Sequence, residues 1–301
     1  MMAAEKKHSW NGVLQKNVPM GKYTSWRVGG PADYFYQPTG VDDLANFIRE
    51  CDPQQPLVWL GLGSNLLVRD GGIRGIVIHM LSGLKEITQL DDTLLRVEVG
   101  VSSARVARYC AEKNLSGGEF LAGIPGLFGG ALTMNAGAFG DETWQIVESV
   151  ETLDRDGNLH RRTVDDYEVD YRSVHGPENE WFVAANIRLK PGQQAESKSR
   201  VRELLEKRNE SQPVGTANAG SVFKNPPGDF AARLIDACDL KGARIGGACV
   251  SGKHANFIIN TGGATAADIE NLIRHVQKVV EEKTGVKLET EVRIIGEAVN
   301  E

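Results

Sequence analysis

Residues 117–140 read GGEFLAGIPGLFGGALTMNAGAFG, a run dense in glycine and apolar residues with a single charged side chain, Glu119. A flexible linker is polar and Gly/Ser-rich, whereas Leu121, Ile124, Leu127, Phe128, Leu132 and Met134 here are suited to burial among the glycines. Glycine is used where backbone must approach a ligand closely or take a positive φ. Two readings stay open on this run alone: a backbone cradle for a large, flat or phosphate-bearing ligand, or a tightly packed turn and helix crossing.

Outward from this run, the chain alternates helical and extended patterns. VDDLANFIREC and SARVARYCAEKN read as amphipathic helices, the second with Val106, Ala107, Cys110 and Ala111 on one face. ADYFYQP, PLVWL, GIVIHM and LLRVEVG read as strands, and Asp156-Gly157 between alternating runs signals a β-hairpin. WFVAANIRLK closes that part as a strand, and a polar helix-bearing stretch after it marks a domain boundary. Beyond it DFAARLIDACDL reads as helical and FIIN as a buried strand. In ATAADIENLIRHVQKVVEEKTG, Thr265 and Asp268 make a capping-box start to a helix whose stripe is Ile269, Leu272, Ile273, Val276, Val279 and Val280, with Gly285 as the stop. KLETEVRIIG reads as a final strand, which would set Glu291 and Arg293 on one face as an ion pair.

The 301 residues suffice for about two domains. A net charge of -6 with interspersed signs offers no basic surface, so nucleic acid is not expected as a partner. The first residues lack a signal-peptide pattern and no apolar run approaches the roughly 18 residues of a span, so a cytoplasmic protein without a membrane partner is expected. Cys51, Cys110, Cys238 and Cys249 are scattered without metal-ligand spacing, which predicts free thiols and no metal site.

Four shorter motifs are ambiguous singly. GLGSNL, residues 61–66, follows an apolar strand but carries Leu66 where a dinucleotide fingerprint needs glycine, and the chain continues extended. It reads either as a plain turn or as a nest of N–H groups for a diphosphate, helped by Ser64 and Asn65. GACVSGKH ends in His254 where a phosphate-binding loop needs Ser or Thr, which argues against triphosphate hydrolysis. GSVFKNPPG holds Ser221, Lys224 and Asn225 in a loop stiffened by two prolines. The fourth is the Glu291/Arg293 pair, and Arg172 in DYEVDYRS is equally unremarkable alone.

Taken in order, TSWRVGGPADYF, GLGSNLLV, GIPGLFGGALTMNAGAFGDE, DYRS, GSVFKNPPGDFAARLID, LKGARIGGACVSGKHANFIIN and LETEVRIIGE resemble the UDP-N-acetylenolpyruvoylglucosamine reductase family, flavoenzymes of bacterial cell-wall precursor synthesis. The resemblance implies an α+β fold. Residues 25–191 would form a two-lobed FAD-binding domain of the vanillyl-alcohol-oxidase-like type, and residues 192–301 a substrate-binding domain. The short span between Arg172 and Ser221 matches the family's shorter form. Where the family has a residue between the arginine and the next serine, Ser173 here follows Arg172 directly.

The resemblance further implies FAD as cofactor and NADPH as reductant, with UDP-N-acetylglucosamine enolpyruvate as substrate of a monomer. It puts the FAD contacts on Gly61, Gly63, Ser64, Asn65, Leu66, Gly123, Ile124, Pro125, Gly126, Asn135, Gly137 and Arg293. The catalytic arginine, serine and glutamate fall on Arg172, Ser221 and Glu291, with Asn225, Lys224, Lys207 and Arg208 toward the substrate. Arg172 and a protonated Glu291 would stabilise an enol-like species, and Ser221 would protonate C2. Another FAD oxidoreductase of the same fold would share the cradle but not this trio, and a flavin-free nucleotide-sugar binder would be colourless.

Overall fold

The computed structural model describes residues 8–299. They divide into two compact, interleaved units. One takes the chain up to Gln15, then Tyr34–Gly61 and Ile76–Ser197; the other takes Lys16–Asp33, Leu62–Gly75 and the chain from Lys198 on.

The first unit is built on a five-stranded antiparallel sheet in the spatial order Leu159–Thr163, Val147–Asp154, Glu180–Arg188, Leu94–Glu98, Ile87–Gln89. The hairpin expected at Asp156-Gly157 joins the first two strands, with Gly157 at φ 75°. Along Glu180–Arg188, five consecutive residues from Val183 to Ile187 are buried. A strand covered on both faces loses the simple alternation of a half-exposed one. Helix α1 (Val41–Glu50) buries Leu44, Ala45, Phe47 and Ile48. Helix α2 (Ser103–Glu112) is capped by the Ser102 hydroxyl, which accepts from the Arg105 N–H, and it buries the four residues expected on one face plus Ser103. The strands Leu57–Leu60 and Ile73–His79 pair in parallel, in register from Leu57↔Ile76 to Leu60↔His79.

His79, at the end of that pair, is 6% exposed. Its Nδ1 lies 3.3 Å from the Ser82 hydroxyl and its ring 5.2 Å from that of Phe35. Burial, reinforced by the Lys85 charge, pushes its pKa from 6.5 down to about 4. The unfolded chain therefore binds the proton more readily, so this group's stability term is whole above pH 6.5 and is lost as pH falls toward 4. The expected loss over that window is about 3 kcal/mol. Denaturant titrations across pH 4–7 should show a shallower slope for His79→Gln than for the parent; equal slopes would refute the assignment.

The second unit packs around helix α6 (Ala266–Thr284), preceded by α3 (Phe128–Thr133) in the first unit, α4 (Gln194–Ser211) and α5 (Ala231–Ala237). The expected capping box forms: the Thr265 hydroxyl accepts from Asp268 N–H and the Asp268 carboxylate accepts from Thr265 N–H, both at 3.0 Å. Gly285 closes the helix at φ 72°. Ile269, Leu272, Ile273, Val276 and Val280 are buried, each contributing about 1.5–3 kcal/mol by leaving water. Val279 lies partly buried against the same core.

That core also takes Trp26, Val28, Leu67, Val222, Phe223 and Ile258, with the Trp26 indole N–H donating to the Ile258 carbonyl at 2.8 Å. Asp70 caps α6 from a distant stretch of chain, accepting from the Ala266 and Ala267 N–H groups at 3.0 and 2.9 Å. Arg69 meets Glu270 through two bonds of 2.9 and 3.0 Å. Glu270 is 7% exposed and also pairs with Arg274. The two guanidinium groups hold its carboxyl below the usual range.

The final strand is shorter than its pattern suggests. Only Arg293–Ile295 is extended, pairing in parallel with Leu66–Val68. Glu291 lies outside it: its N–H donates to the Val222 carbonyl, whereas that of Arg293 donates to the Asn65 carbonyl. The two residues therefore do not share one strand face, because the backbone changes partner between them. The four cysteines are free thiols; Cys51 is half-buried and the others are buried. Among the described residues no helix is long and apolar enough to cross a membrane.

Candidate active site

The glycine run forms a bent backbone surface in the first unit. Residues 119–123 make a short 3-10 turn, after which the chain is tied to the entry of α2: Ser103 N–H donates to the Gly126 carbonyl, and Phe128 and Gly129 N–H donate to Val101 and Val99. A Cβ on Gly123 would come within 2.5 Å of the Phe139 ring, so that ring lies directly on bare backbone. Ile124 is buried and Pro125 exposed. The run thus combines a packed helix entry with an exposed position at Pro125.

Asn135 is 2% exposed, and its side chain is fully engaged. Its Oδ1 accepts from Trp144 N–H at 3.1 Å, and its Nδ2 donates to Glu142 Oε2 at 2.8 Å and to the Asp170 carbonyl at 3.3 Å. It ties the end of the glycine run to the turn carrying Arg172. Arg172 takes φ 55°, a left-handed conformation that strains a non-glycine residue. Its guanidinium donates to the Asn135 carbonyl at 3.4 Å and the Gly137 carbonyl at 3.2 Å, and lies 5.0 Å from the centre of the Tyr171 ring. Of the expected cofactor contacts, Asn135 and Gly137 are thus also the residues that orient Arg172. Ser173, the residue that departs from the family pattern, places its hydroxyl 2.9 Å from His175 Nε2.

The GLGSN turn, whose residues from Leu62 on belong to the second unit, is held through its main chain. The Gly63 carbonyl accepts from both the N–H and the hydroxyl of Ser25, at 3.1 and 3.2 Å. Gly63 takes φ 61°, and a Cβ there would sit 2.2 Å from the Tyr23 carbonyl oxygen. Asn65 donates from Nδ2 to the Glu291 carbonyl at 3.0 Å and accepts at its own carbonyl from Arg293 N–H at 3.0 Å. Asn65, Glu291 and Arg293 are therefore neighbours through the main chain. The Arg293 side chain is exposed, and Leu66 is its register partner.

Ser221 and Glu291 come together on paired segments. Phe223 bridges Thr290 in antiparallel fashion, Lys224 N–H donates to the Glu289 carbonyl at 2.9 Å, and Glu291 N–H to the Val222 carbonyl at 2.8 Å. Both Ser221 and Glu291 are half-buried. Asn225 has a structural bond: its Oδ1 accepts from Ala231 N–H, the first residue of α5, at 3.1 Å. Lys224 Nζ lies 3.9 Å from Glu289 Oε2. On α4, Lys207 is exposed, while Arg208 is half-buried and donates to Gln212 Oε1 at 3.2 Å. Burial pulls the Arg208 guanidinium below its ordinary pKa, and no carboxylate among the described residues pairs with it.

Two buried asparagines carry more of this architecture than their sequence context signals. Asn135 sits in a glycine run and Asn256 among apolar residues in HANFII, where a lone amide within an apolar stretch is the only cue. His254, where a phosphate-binding loop needs a hydroxyl, follows the short strand Ala248–Val250 rather than opening a helix, and its Nδ1 accepts from Asn256 N–H at 3.3 Å. Its pKa is lowered by burial, with the Lys241 charge adding to the effect. Both effects favour the neutral imidazole.

Comparison with known proteins gives the same picture. The model of the UDP-N-acetylenolpyruvoylglucosamine reductase C-terminal domain matches residues 212–295, and that of an FAD binding domain matches residues 32–163. The chain is 54% identical over 298 residues to the UDP-N-acetylenolpyruvoylglucosamine reductase of Alkalilimnicola ehrlichii, covering 99% of each. It is 55% identical over 287 residues to that of Methylococcus capsulatus, covering 95% of this chain and 94% of the relative. Among solved structures it is similar to the UDP-N-acetylenolpyruvylglucosamine reductase from Thermus caldophilus, at a TM-score of 0.82 and 34% identity over 94% of this chain and 99% of that one. An α+β chain with an FAD-binding domain, a C-terminal domain of this type and full-length likeness of this degree belongs to the UDP-N-acetylenolpyruvoylglucosamine reductase family.

Proposed function

We propose that the chain reduces UDP-N-acetylglucosamine enolpyruvate to UDP-N-acetylmuramate, with NADPH as reductant and FAD as its bound cofactor, in the supply of peptidoglycan precursors. The proposal extends to a monomer acting in the cytoplasm, where NADPH is available, without nucleic acid or membrane partners. The observation that carries it is the pairing of the 221–224 and 289–291 segments, which brings a hydroxyl and a carboxyl of the expected kinds onto adjoining backbone.

FAD fits the residues present. Gly63 and Gly123 each lie where a Cβ would collide with neighbouring protein atoms, so both turns are packed closely by their own chain and carry no side chain at these positions. Main-chain N–H groups in such turns suit a diphosphate. In this reading Gly61, Gly63, Ser64, Asn65 and Leu66 hold the cofactor with Gly123, Ile124, Pro125 and Gly126, while Asn135, Gly137 and Arg293 support its surroundings.

When bound, FAD would supply hydride-transfer chemistry, with a hydride from NADPH accepted by the flavin and a hydride passed on to C3 of the enolpyruvyl group. Negative charge then develops toward the substrate carboxylate. Arg172, its guanidinium oriented by two carbonyls, stabilises that charge as a fixed cation, and Glu291 does so as a protonated hydrogen-bond donor. Ser221 gives its hydroxyl proton to C2. A hydroxyl is a weak acid, but a carbanion-like carbon is basic enough to take its proton when the geometry is fixed. Asn225 and Lys224 flank Ser221 toward the substrate, and Lys207 with the half-buried Arg208 supplies positive charge for its diphosphate.

The test is anaerobic. The FAD-loaded protein should lose its visible flavin absorbance on adding NADPH and regain it on adding UDP-N-acetylglucosamine enolpyruvate. Loss without substrate-dependent recovery would reject this substrate. A protein that remains colourless after reconstitution with FAD would reject the flavoenzyme reading.

A further inference from the structure

Asn256 lies between the strands Ala248–Val250 and Ile258–Asn260 and is 4% exposed. Its side chain closes a two-point clamp on the backbone of one residue. Oδ1 accepts from Phe223 N–H at 2.9 Å and Nδ2 donates to the Phe223 carbonyl at 2.8 Å. The Asn256 main-chain carbonyl accepts from Val222 N–H at 2.9 Å, so the same residue holds three consecutive peptide groups.

The far side of that segment receives the glutamate. The Val222 carbonyl accepts from Glu291 N–H at 2.8 Å and from Val292 N–H at 3.3 Å, while Lys224 N–H reaches Glu289. Ser221 is the residue immediately before the clamped pair. Displacement of Val222 and Phe223 would move the Ser221 hydroxyl and the Glu291 backbone together. Behind the clamp, Asn256 N–H donates to His254 Nδ1 at 3.3 Å, and the His254 ring meets Phe257 edge-on at 4.8 Å. The clamp is therefore itself held from behind.

The position requires a carboxamide. It must accept a bond and donate one from a single planar group, which aspartate cannot do when ionised and serine cannot do with the same reach. Buried amides bonded at both ends are costly to leave half satisfied.

We infer that Asn256 is a positioning residue for the reaction, acting through Phe223 and Val222 to hold Ser221 and Glu291 in register for one substrate. The inference rests on the roles proposed above for Ser221 and Glu291. It assigns Asn256 no contact with substrate or cofactor.

The test uses FAD-loaded Asn256→Asp and Asn256→Ser, with the two half-reactions followed separately by stopped flow. Misplacement of catalytic groups by about 1 Å costs on the order of 10²-fold, so reoxidation of reduced flavin by UDP-N-acetylglucosamine enolpyruvate should slow by about that factor. Reduction by NADPH should stay within about threefold. Hydrogen exchange at the Phe223 amide should quicken in Asn256→Ser while the amides of α6 keep their protection. In a Ser221→Ala background, Asn256→Ser should cost less than it does alone, because part of what it positions is gone.

Equal slowing of both half-reactions, full additivity with Ser221→Ala, or an unchanged reoxidation rate despite faster Phe223 exchange would each overturn the inference. If Asn256→Asp fails to hold flavin, the Asn256→Ser protein decides the question. The two levels separate cleanly. Reoxidation left intact by Ser221→Ala itself rejects the reading of the site, whereas a slow Ser221→Ala beside a fast Asn256→Ser rejects this inference alone.

Discussion

Ser221→Ala should slow flavin reoxidation by UDP-N-acetylglucosamine enolpyruvate by roughly 10²–10⁴-fold, the range lost when a positioned general acid is removed. Reduction by NADPH should be nearly unchanged. The substitution deletes one hydroxyl from a half-buried residue and disturbs no main-chain bond. Val222 and Phe223 remain clamped by Asn256, and Glu291 N–H keeps its bond to Val222, so the backbone that carries the site should stay in place. A stability cost beyond about 1 kcal/mol would be unusual for such a change. Stopped-flow absorbance separates the two halves. A reoxidation rate within about threefold of the parent would remove Ser221 from the chemistry.

The largest structural effect is expected at Gly63. Gly63→Ala would force an L side chain into a left-handed conformation, at about 1–2 kcal/mol. It would also drive a Cβ to within 2.2 Å of the Tyr23 carbonyl oxygen and 2.8 Å of Thr24 Cα. These are backbone atoms and cannot rotate away. Moving them breaks the two bonds that Ser25 makes to the Gly63 carbonyl. The combined loss should reach about 3–5 kcal/mol, the upper end of single-substitution effects, and the purified protein should contain little flavin. Gly40→Ala is the control: Gly40 has an extended φ of 172° and nothing lies within 4 Å of its Cβ position. Flavin content and thermal unfolding that match between the two variants would show that the turn tolerates a side chain.

Local patterns were readable where one residue's chemistry decides a local outcome. The α6 capping box, its apolar stripe and its glycine stop all follow from neighbours within four residues, and each forms as expected. The hairpin at Asp156-Gly157 is equally local. The final strand failed for the opposite reason. KLETEVRIIG alternates like a strand, but Glu291 bonds to Val222 and Arg293 to Asn65, and nothing in a ten-residue window announces a change of partner.

The site shows the same division. Arg172, Ser221 and Glu291 were reached through the order of long motifs rather than through any property of each residue. Asn256 and the engagement of Asn135 with the Arg172 turn escaped notice, because a buried amide is recognised by the distant backbone it satisfies. The cap that Asp70 places on α6 escaped for the same reason.

The interleaving of the units has a consequence for how the chain is made. Trp26 finds its hydrogen-bond acceptor, Ile258, 232 residues later, and Leu66–Val68 waits for Arg293–Ile295 to supply its parallel neighbour. During vectorial synthesis, the early segments Lys16–Asp33 and Leu62–Gly75 emerge long before the helix and strands they pack with. Their apolar residues cannot complete their final packing until the partners between Ile258 and Ile295 have been made. Closing loops of this length is slow, and a nascent chain with exposed apolar surface is a substrate for chaperones. The synthesis of Arg293–Ile295, rather than of any earlier segment, is then the event that permits this strand pair of the second unit to form.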